Sequence, residues 1–481
     1  MSDTIVEGWE LVVGLEVHTE LATETKIFCS CPNRFGDEPN TNVCPVCLGL
    51  PGSLPVLNRQ VVELAIRLGE AVHCDVRPSI FHRKNYFYPD MPKDYQVSQY
   101  DQPINVGGHL ELPSGYRVGI TRAHLEEDTG KSTHLGGDAG GRIHGSEYSL
   151  VDYNRAGVPL LEIVSEPDIR TVEEARDYVG ELRAILVATG VSDAKMEEGS
   201  MRVDANVSVR RTGDTAFGTR CEIKNLNSVR SLGRAIEYEA HRQIDLLEAG
   251  ERVRQETRHW DEGDGRTHTL RTKEDADDYR YFPEPDLVPL APTDQWLASA
   301  RASLPALPAQ RRAILAEASD RGVADPGVVS AVDRGLDQLA MEAIVAGGDP
   351  ARVLVHIEHN LSGDGATVRP VRLAALTRME VEGKLTATQA KAVLADVLAA
   401  GGDADPVAIA AANGFEAMDT GALETAVDAA IAADPVAWDK FLGGDDKVAG
   451  AFVGPVMKAT KGKADGKAVN ALLRARRDAT R

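Results

Sequence analysis

The 481-residue chain contains no run of about 18 apolar residues, so no helical membrane span is expected. Its start, Met1-Ser2-Asp3-Thr4, has neither a basic region nor an apolar stretch, so no signal peptide is expected and the cytoplasm is the expected compartment. Positive charge is in short supply. Fifty-three Lys and Arg stand against 74 Asp and Glu, and the net charge of −21 argues against a protein that coats nucleic acid nonspecifically. Cysteine is scarce too, six in all, but four are not scattered. Cys29-x-Cys31 and Cys44-x-x-Cys47 are separated by twelve residues, with Pro45 and Gly49 marking turns around the second pair. In a cytoplasmic chain this spacing points to a four-thiolate structural zinc site rather than to disulfides, because four thiolates leave no coordination position open to substrate. Cys74 and Cys221 stand alone and are expected in the core.

The chain is too long for one hydrophobic core, and two to four domains are expected. Residues 1–295 mix short alternating runs, such as Tyr116–Arg122 and Met201–Val209, with helical periodicity at about 58–73, 171–189 and 229–248. That irregular mixture predicts an α+β fold with a mostly antiparallel sheet. Leu135–Gly145 is glycine-rich and reads as a flexible loop. Pro283, Pro285, Pro289, Pro292, Pro305 and Pro308 mark a domain boundary. Beyond it, Ala- and Leu-rich sequence with 3.6-residue periodicity predicts helices only. The Gly401–Pro406 loop divides this part into a helical domain, 296–408, and a small helical tail domain, 409–481. From Lys447 to Arg481 there are five Lys and four Arg against two Asp, a local basic surface in an acidic protein. Val469, Leu472 and Leu473 are spaced to face one core. That leaves Lys458, Lys461, Lys463, Lys467, Arg474 and Arg477 mostly outward, free to meet phosphates.

The most informative segment is Glu10–Leu21. Alternation puts Leu11, Val13, Leu15, Val17 and Leu21 on one face of a strand and Gly14, Glu16, His18 and Glu20 on the other. Carboxylate and imidazole side by side suit a divalent metal or acid–base chemistry. Glu162 at the centre of Val158–Val164, Glu222 in Thr219–Lys224 and the acidic run His124–Asp128 repeat the theme. Unpaired buried carboxylates are costly, so several in strand-like settings predict cations among them. Thr129-Gly130-Lys131-Ser132 mimics the end of a phosphate loop, but Leu125 stands where the motif needs glycine and its neighbours are acidic, so a standard phosphate loop is rejected. Arg83–Gln99 and Asp277–Asp286 interleave aromatics, prolines and charges with little aliphatic content, which suits loops lining a polar site.

Gly14–His18, Arg83–Asp90, His124–Ser132, Ser165–Asp168, Lys195–Ser200, Lys224–Ser228 and Asp278–Asp286 together resemble the B-subunit family of the aspartyl/glutamyl-tRNA amidotransferases, and Gly450–Gly462 is similar to the family's small tail domain. The resemblance implies a cradle-like catalytic domain followed by helical middle and tail domains. It implies conversion of misacylated Glu-tRNA(Gln) or Asp-tRNA(Asn) to the amide. ATP phosphorylates the aminoacyl carboxylate, and ammonia from a partner amidase then displaces phosphate. The implied partners are the amidase (A) chain, a small third (C) chain and the misacylated tRNA. Carried over by position, Glu16, His18, Glu127, Glu162 and Glu222 match the magnesium-binding floor, and Lys84 and Lys93 match lysines near the inner end of the ammonia tunnel. Cys29, Cys31, Cys44 and Cys47 match a zinc site found in some members.

Two other readings compete. In one the chain is a noncatalytic, zinc-containing tRNA-binding scaffold. The carboxylates count against it, since they repel RNA unless metal is present. In the other it is a free-standing ligase using ammonia directly. The chain shows neither a Cys–His nucleophile pair nor an amidase Ser-Ser-Lys arrangement, so glutamine is expected to serve as donor only through a partner.

Overall fold

The computed structural model describes residues 5–136, 146–272, 279–361, 368–415, 420–444, 446–460 and 466–480. Most of the loop expected at Leu135–Gly145, and Asp277 and Asp278 of the second aromatic stretch, lie outside the described residues.

The alternating segments of the first 300 residues form strands. They are Trp9–Glu20 (β1), Asp75–Val76 (β2), His82–Asn85 (β3), Tyr95–Ser98 (β4), Asn105–Val106 (β5), His109–Glu111 (β6), Arg117–Glu127 (β7), Lys131–Leu135 (β8), Tyr148–Asp152 (β9), Pro159–Ser165 (β10), Met201–Arg211 (β11), Cys221–Leu226 (β12), Glu256–Asp261 (β13), Arg266–Thr272 (β14) and Phe282–Pro283 (β15). Along the main path the order is β14-β13-β12-β11-β1-β10-β7-β4-β3-β15. Every neighbouring pair on that path is antiparallel except β12–β13. β1 therefore lies near the middle of the sheet, between β10 and β11. β8 and β9 form a separate ribbon. Lys131 and Ser132 begin β8 rather than a helix, in keeping with the rejection of a phosphate loop.

Helices at Arg59–Ala71 (α1), Val172–Ala188 (α2) and Val229–Glu248 (α3) coincide with the three periodic segments. Each starts at a polar cap. Asn58 and Ser228 accept from the first turn, and Thr171 with Glu174 forms a reciprocal capping box. Val13, Leu15 and Val17 of β1 join residues of all three helices, such as Leu68, Leu182 and Ile236, in one buried core. One face of the sheet is thus sealed by helices, and the polar face of β1 is left for chemistry.

The chain divides into two units, Met1–Gln310 and Arg311–Arg481. Among the described residues the second unit is entirely helical. It holds one apolar core from Leu315 to Ala410 and another from Leu423 to Leu473. In the latter, Val469 and Leu473 are fully buried and Leu472 packs against the same cluster. The basic run is less free than expected. Arg477 pairs with Asp446 at 2.7 Å and lies over the Phe441 ring, because a guanidinium can neutralise a carboxylate and cover apolar surface at once. Arg476 is held by Asp428 at 2.8 Å. Lys458 and Arg474 are exposed, while Lys461, Lys463 and the Lys467 side chain lie outside the described residues.

Candidate active site and metal centres

Residues directly opposite in an antiparallel pair share a face of the sheet. Opposite His18 stand Glu162 on β10 and Arg202 on β11, and Glu162 in turn faces His124 on β7. Glu16 faces Asp204. Gly14 faces Asn206, which faces Glu222 on β12. Glu20 faces Leu160, which faces Glu126, itself opposite Ser98. Residues two apart along a strand also share a face. Five strands therefore lay Glu16, His18, Glu20, His124, Glu126, Glu162, Asp204 and Glu222 on the face away from the helices.

At the centre, His18 Nε2 is 3.3 Å from Glu162 Oε2 and 4.0 Å from Glu126 Oε1. His124 Nε2 is 3.7 Å from Glu162 and 3.9 Å from Glu126. One ligand atom from each of His18, Glu126 and Glu162 lies within 4.8 Å of the others. Beside them Glu16 accepts a 2.8 Å hydrogen bond from Asn206, and Lys224 bridges Asp204 at 2.5 Å and Glu222 at 3.0 Å. Arg202 donates to Asp128 at 2.7 Å. A cavity of about 440 Å³ is lined by His18, Glu126 and Asp204 together with three cations, Lys84, Arg202 and Lys224.

Burial and crowding of like charge set the electrostatics. Glu126 is pushed up to about 7 by burial and by Glu162. Glu16 is raised by burial, then by Glu162 and Glu222. Burial opposes the charge on His18, but its hydrogen bond to Glu162 and the charges of Glu162 and Glu126 lift it to about 9. Burial, reinforced by the cations Arg122, His18 and Lys84, pushes His124 down to about 4 against the pull of Glu162. Burial likewise opposes ionisation of Glu162, yet His124 and His18 hold its carboxyl below the usual range. With His124 neutral at pH 7, the cations facing Glu162 are His18 and Arg122, the latter 3.9 Å away, and a divalent ion bound here would take the place of the His18 proton. Carboxylates this close and this dry need positive charge, and a nitrogen with two carboxylates in mutual reach is a donor set for a hard or borderline divalent ion.

The four cysteines form a second centre. Their sulfurs all lie within 4.8 Å of one another, none is in a disulfide, and Cys44 and Cys47 Sγ are 3.9 Å apart. Tetrahedral zinc at about 2.3 Å from each sulfur places neighbouring sulfurs about 3.8 Å apart, so the residues fit the ion. The Cys47 thiol is drawn down to about 5 by the Cys29 hydrogen bond, helped by the Cys44 amide and the Lys26 ammonium, while burial pushes Cys31 up to about 11. Cys29 and Cys47 line a small cavity shared with Lys93 and Glu127.

Here the geometry corrects the expected grouping. Glu127 does not join His18 and Glu162. Its buried carboxylate pairs with Lys93 and accepts the Val97 amide at 2.8 Å. Leu125 and Glu127 share one side of β7, while His124 and Glu126 share the other, and it is Glu126 that completes the cluster. Lys84 and Lys93 part company for a similar reason. Lys84 lies over the Tyr279 ring and lines the large cavity, whereas Lys93 lines the small one. Glu16, His18, Glu162 and Glu222 do gather on one face. Sequence reasoning missed His124, Glu126, Asp204, Asn206 and Lys224 as members. The two aromatic stretches meet: Arg83 grips Glu284 through two bonds of 2.7 and 2.8 Å, and Asn85 donates to the Tyr279 and Arg280 carbonyls at 2.9 Å.

Residues 11–298 match the model of the GatB/GatE catalytic domain, and residues 355–476 match that of the GatB domain. The chain is 49% identical over 488 residues to the B subunit of the aspartyl/glutamyl-tRNA(Asn/Gln) amidotransferase of Frankia casuarinae, covering 98% of this chain and 96% of that one. It is 50% identical to the protein of the same name from Salinispora arenicola (98% and 97% covered). The corresponding protein of Moorella thermoacetica is 49% identical (97% and 99% covered). No helix among the described residues is long and apolar enough to cross a membrane.

Proposed function

The chain belongs to the B-subunit family of the aspartyl/glutamyl-tRNA amidotransferases, and from that premise we propose that its sheet face activates the side-chain carboxylate of a misacylated tRNA with ATP and converts it to the amide. The observation that carries this reading is the convergence of His18, Glu126 and Glu162 beneath Lys84, Arg202 and Lys224.

A carboxylate is a poor electrophile. Its oxygen takes the terminal phosphoryl group, releasing ADP, and ammonia then attacks the acyl carbon and displaces phosphate. His18, Glu126 and Glu162 would hold magnesium, with Glu16 and Glu222 as neighbouring ligands, and the ion would supply charge neutralisation between nucleotide phosphates. The chain's own cations do complementary work. Lys84, Arg202 and Lys224 attract the anionic phosphates and carboxylate into the cavity and offset repulsion from the acidic floor. Ammonia comes from glutamine hydrolysed by a partner amidase. Lys93 and Glu127 are the polar pair it meets in the smaller cavity, and β4 and β7 line both cavities: Val97 and Glu127 border the small one, Gln96 and Glu126 the large one, and Gln96 donates to the Glu127 carbonyl at 2.8 Å. Residues 1–295 thus perform the chemistry in the cytoplasm, zinc on the four cysteines stabilises the loop beside it, and 409–481 adds affinity for tRNA.

The test is reconstitution with the amidase and the small third chain. The complex should form amide on Glu-tRNA or Asp-tRNA in a reaction that consumes ATP and glutamine, and the isolated chain should hydrolyse no glutamine. Amide formation that survives intact in a His18→Ala, Glu162→Gln double variant would instead favour a noncatalytic scaffold.

A further inference from the structure

The carboxylates on the polar face of the sheet are paired, with one exception. Glu16 accepts from Asn206, Glu126 and Glu162 face His18, and Asp204 and Glu222 share Lys224. Glu20, two residues beyond His18 on β1, has neither a hydrogen bond nor an ion pair to its side chain among the described residues, and the chemistry above gives it no part. The cations that face it are committed elsewhere. Arg202 donates to Asp128 at 2.7 Å, and Arg155 donates to the Thr129 and Gly130 carbonyls at 2.9 Å each. Asp128 and Asp193 add negative charge beside it. Glu20 is nonetheless half-buried, and its amide fixes it to the Ser200 carbonyl at 2.8 Å. A carboxylate held there without a counter-charge is costly unless a ligand supplies one. That ligand is not the metal, since the convergent donors are His18, Glu126 and Glu162 without Glu20. Glu20 instead lines a separate cavity of about 590 Å³ with Lys131, Arg155, Glu197 and Glu198, and Asn227 lines both this cavity and the large one.

We propose that Glu20 receives the α-ammonium of the aminoacyl group on the charged tRNA, and so selects substrates whose α-amino group is free. The assignment rests on the amidation reading above and adds how the amino acid is held. In a glutamyl or aspartyl ester the α-nitrogen stands only a few bonds from the side-chain carboxylate. His18 and Glu20 share one face of β1 and lie about 7 Å apart along the strand. That spacing lets the reacting carboxylate sit beside the His18–Glu126–Glu162 cluster while the ammonium reaches Glu20, with the ester directed into the cavity beyond. Lys131 and Arg155 on the wall of that cavity offset its acidic residues where the phosphate of the terminal nucleotide approaches. An ammonium gains most from a carboxylate that is partly desolvated and holds no other partner. Anchoring the amino acid at both of its charged ends also fixes which carboxylate is presented for activation.

The test is amide formation by the reconstituted complex on Glu-tRNA or Asp-tRNA and on the same charged tRNA with its α-amino group acetylated. Acetylation removes the positive charge and leaves the side-chain carboxylate intact. The wild-type complex should show a kcat/KM about tenfold or more lower on the acetylated tRNA. Glu20→Gln, isosteric and uncharged, should lower kcat/KM on the free-amino tRNA by about tenfold or more and change it less than about twofold on the acetylated one, so that the selectivity disappears. Glu20→Asp, which keeps the charge, should retain part of the selectivity. The melting temperature of Glu20→Gln should not fall below wild type, because no internal pair is broken, and its Mn²⁺ binding should be unchanged. A wild-type complex that amidates both tRNAs equally well, a Glu20→Gln variant that loses equally on both, or loss of Mn²⁺ binding in that variant overturns the assignment. If the wild-type complex amidates neither tRNA, the amidation reading itself falls and takes the assignment with it.

Discussion

Adjacent carboxylates on β7 should behave oppositely when neutralised. Glu127 is 2% exposed, and its ion-pair partner Lys93 has a side chain only 8% exposed. Glu127→Gln strands a buried ammonium, and breaking a buried pair from one side costs about 3–5 kcal/mol. Glutamine can still accept the Val97 amide, so the loss should lie near the lower end. At about 2 °C per kcal/mol for a unit of this size, the melting temperature should drop by about 6 °C or more. Glu126 is as deeply buried but faces Glu162, and its carboxyl is already raised to about 7. Glu126→Gln imitates the protonated form and relieves repulsion, so its melting temperature should match or exceed wild type when measured without divalent ions. Mn²⁺ titration by calorimetry should then show binding lost in Glu126→Gln and retained in Glu127→Gln. Equal destabilisation by both changes, or metal binding lost only with Glu127→Gln, would refute the assignment of these two residues to opposite faces.

Metal analysis should find about one zinc per chain, lost in Cys47→Ser and unaffected by His18→Ala, because the two centres share no ligand. Without divalent ions, the native state binds protons more tightly at Glu126 and Glu20, both pushed up to about 7, and at His18, lifted to about 9. Stability should therefore fall as pH rises from about 4.5 to 7 through the carboxyls and from about 6.5 to 9 through His18; His124, held down to about 4, offsets part of this fall between about 4 and 6.5, and Glu162, held low, contributes stability that is lost only in acid. A melting temperature that rises between pH 5 and 9 in chelated protein would contradict this, and Mg²⁺ should flatten the curve. Deleting 409–481 should raise the KM for charged tRNA while sparing ammonia-dependent turnover at saturating tRNA. Unchanged tRNA affinity at moderate salt would reduce the basic run to a solvated helix face.

Much of the site was legible because its signals are local. Alternation on β1 separated Glu16 and His18 from Leu15 and Val17, and the cysteine spacing anticipated four convergent sulfurs. What escaped depends on long-range register. Arg202, Asp204 and Asn206 alternate visibly in Met201–Val209, but their place in the site comes from pairing with a strand almost 190 positions earlier. On β7 the pattern itself changes phase. Val118 and Ile120 are buried in the core, then Ala123 and Leu125, because the register with β10 slips at Thr121 between Ile120–Ser165 and Arg122–Val164. Read from Val118, the alternation would turn Glu126 into the core; read from Leu125 alone, it assigns His124 and Glu126 to the polar face. Glu127 is carried over by position from the resemblance, and the two-residue period counted from Leu125 puts it on the other face from His124 and Glu126.

The most direct measurement of the central claim is an anomalous-scattering map of crystals soaked in Mn²⁺ as a stand-in for magnesium. The account predicts a manganese peak within coordination distance of His18 Nε2 and the carboxylates of Glu126 and Glu162, separate from a zinc peak among Cys29, Cys31, Cys44 and Cys47. A manganese peak at Glu127 and Lys93, or none on the β1 face at saturating metal, would contradict it.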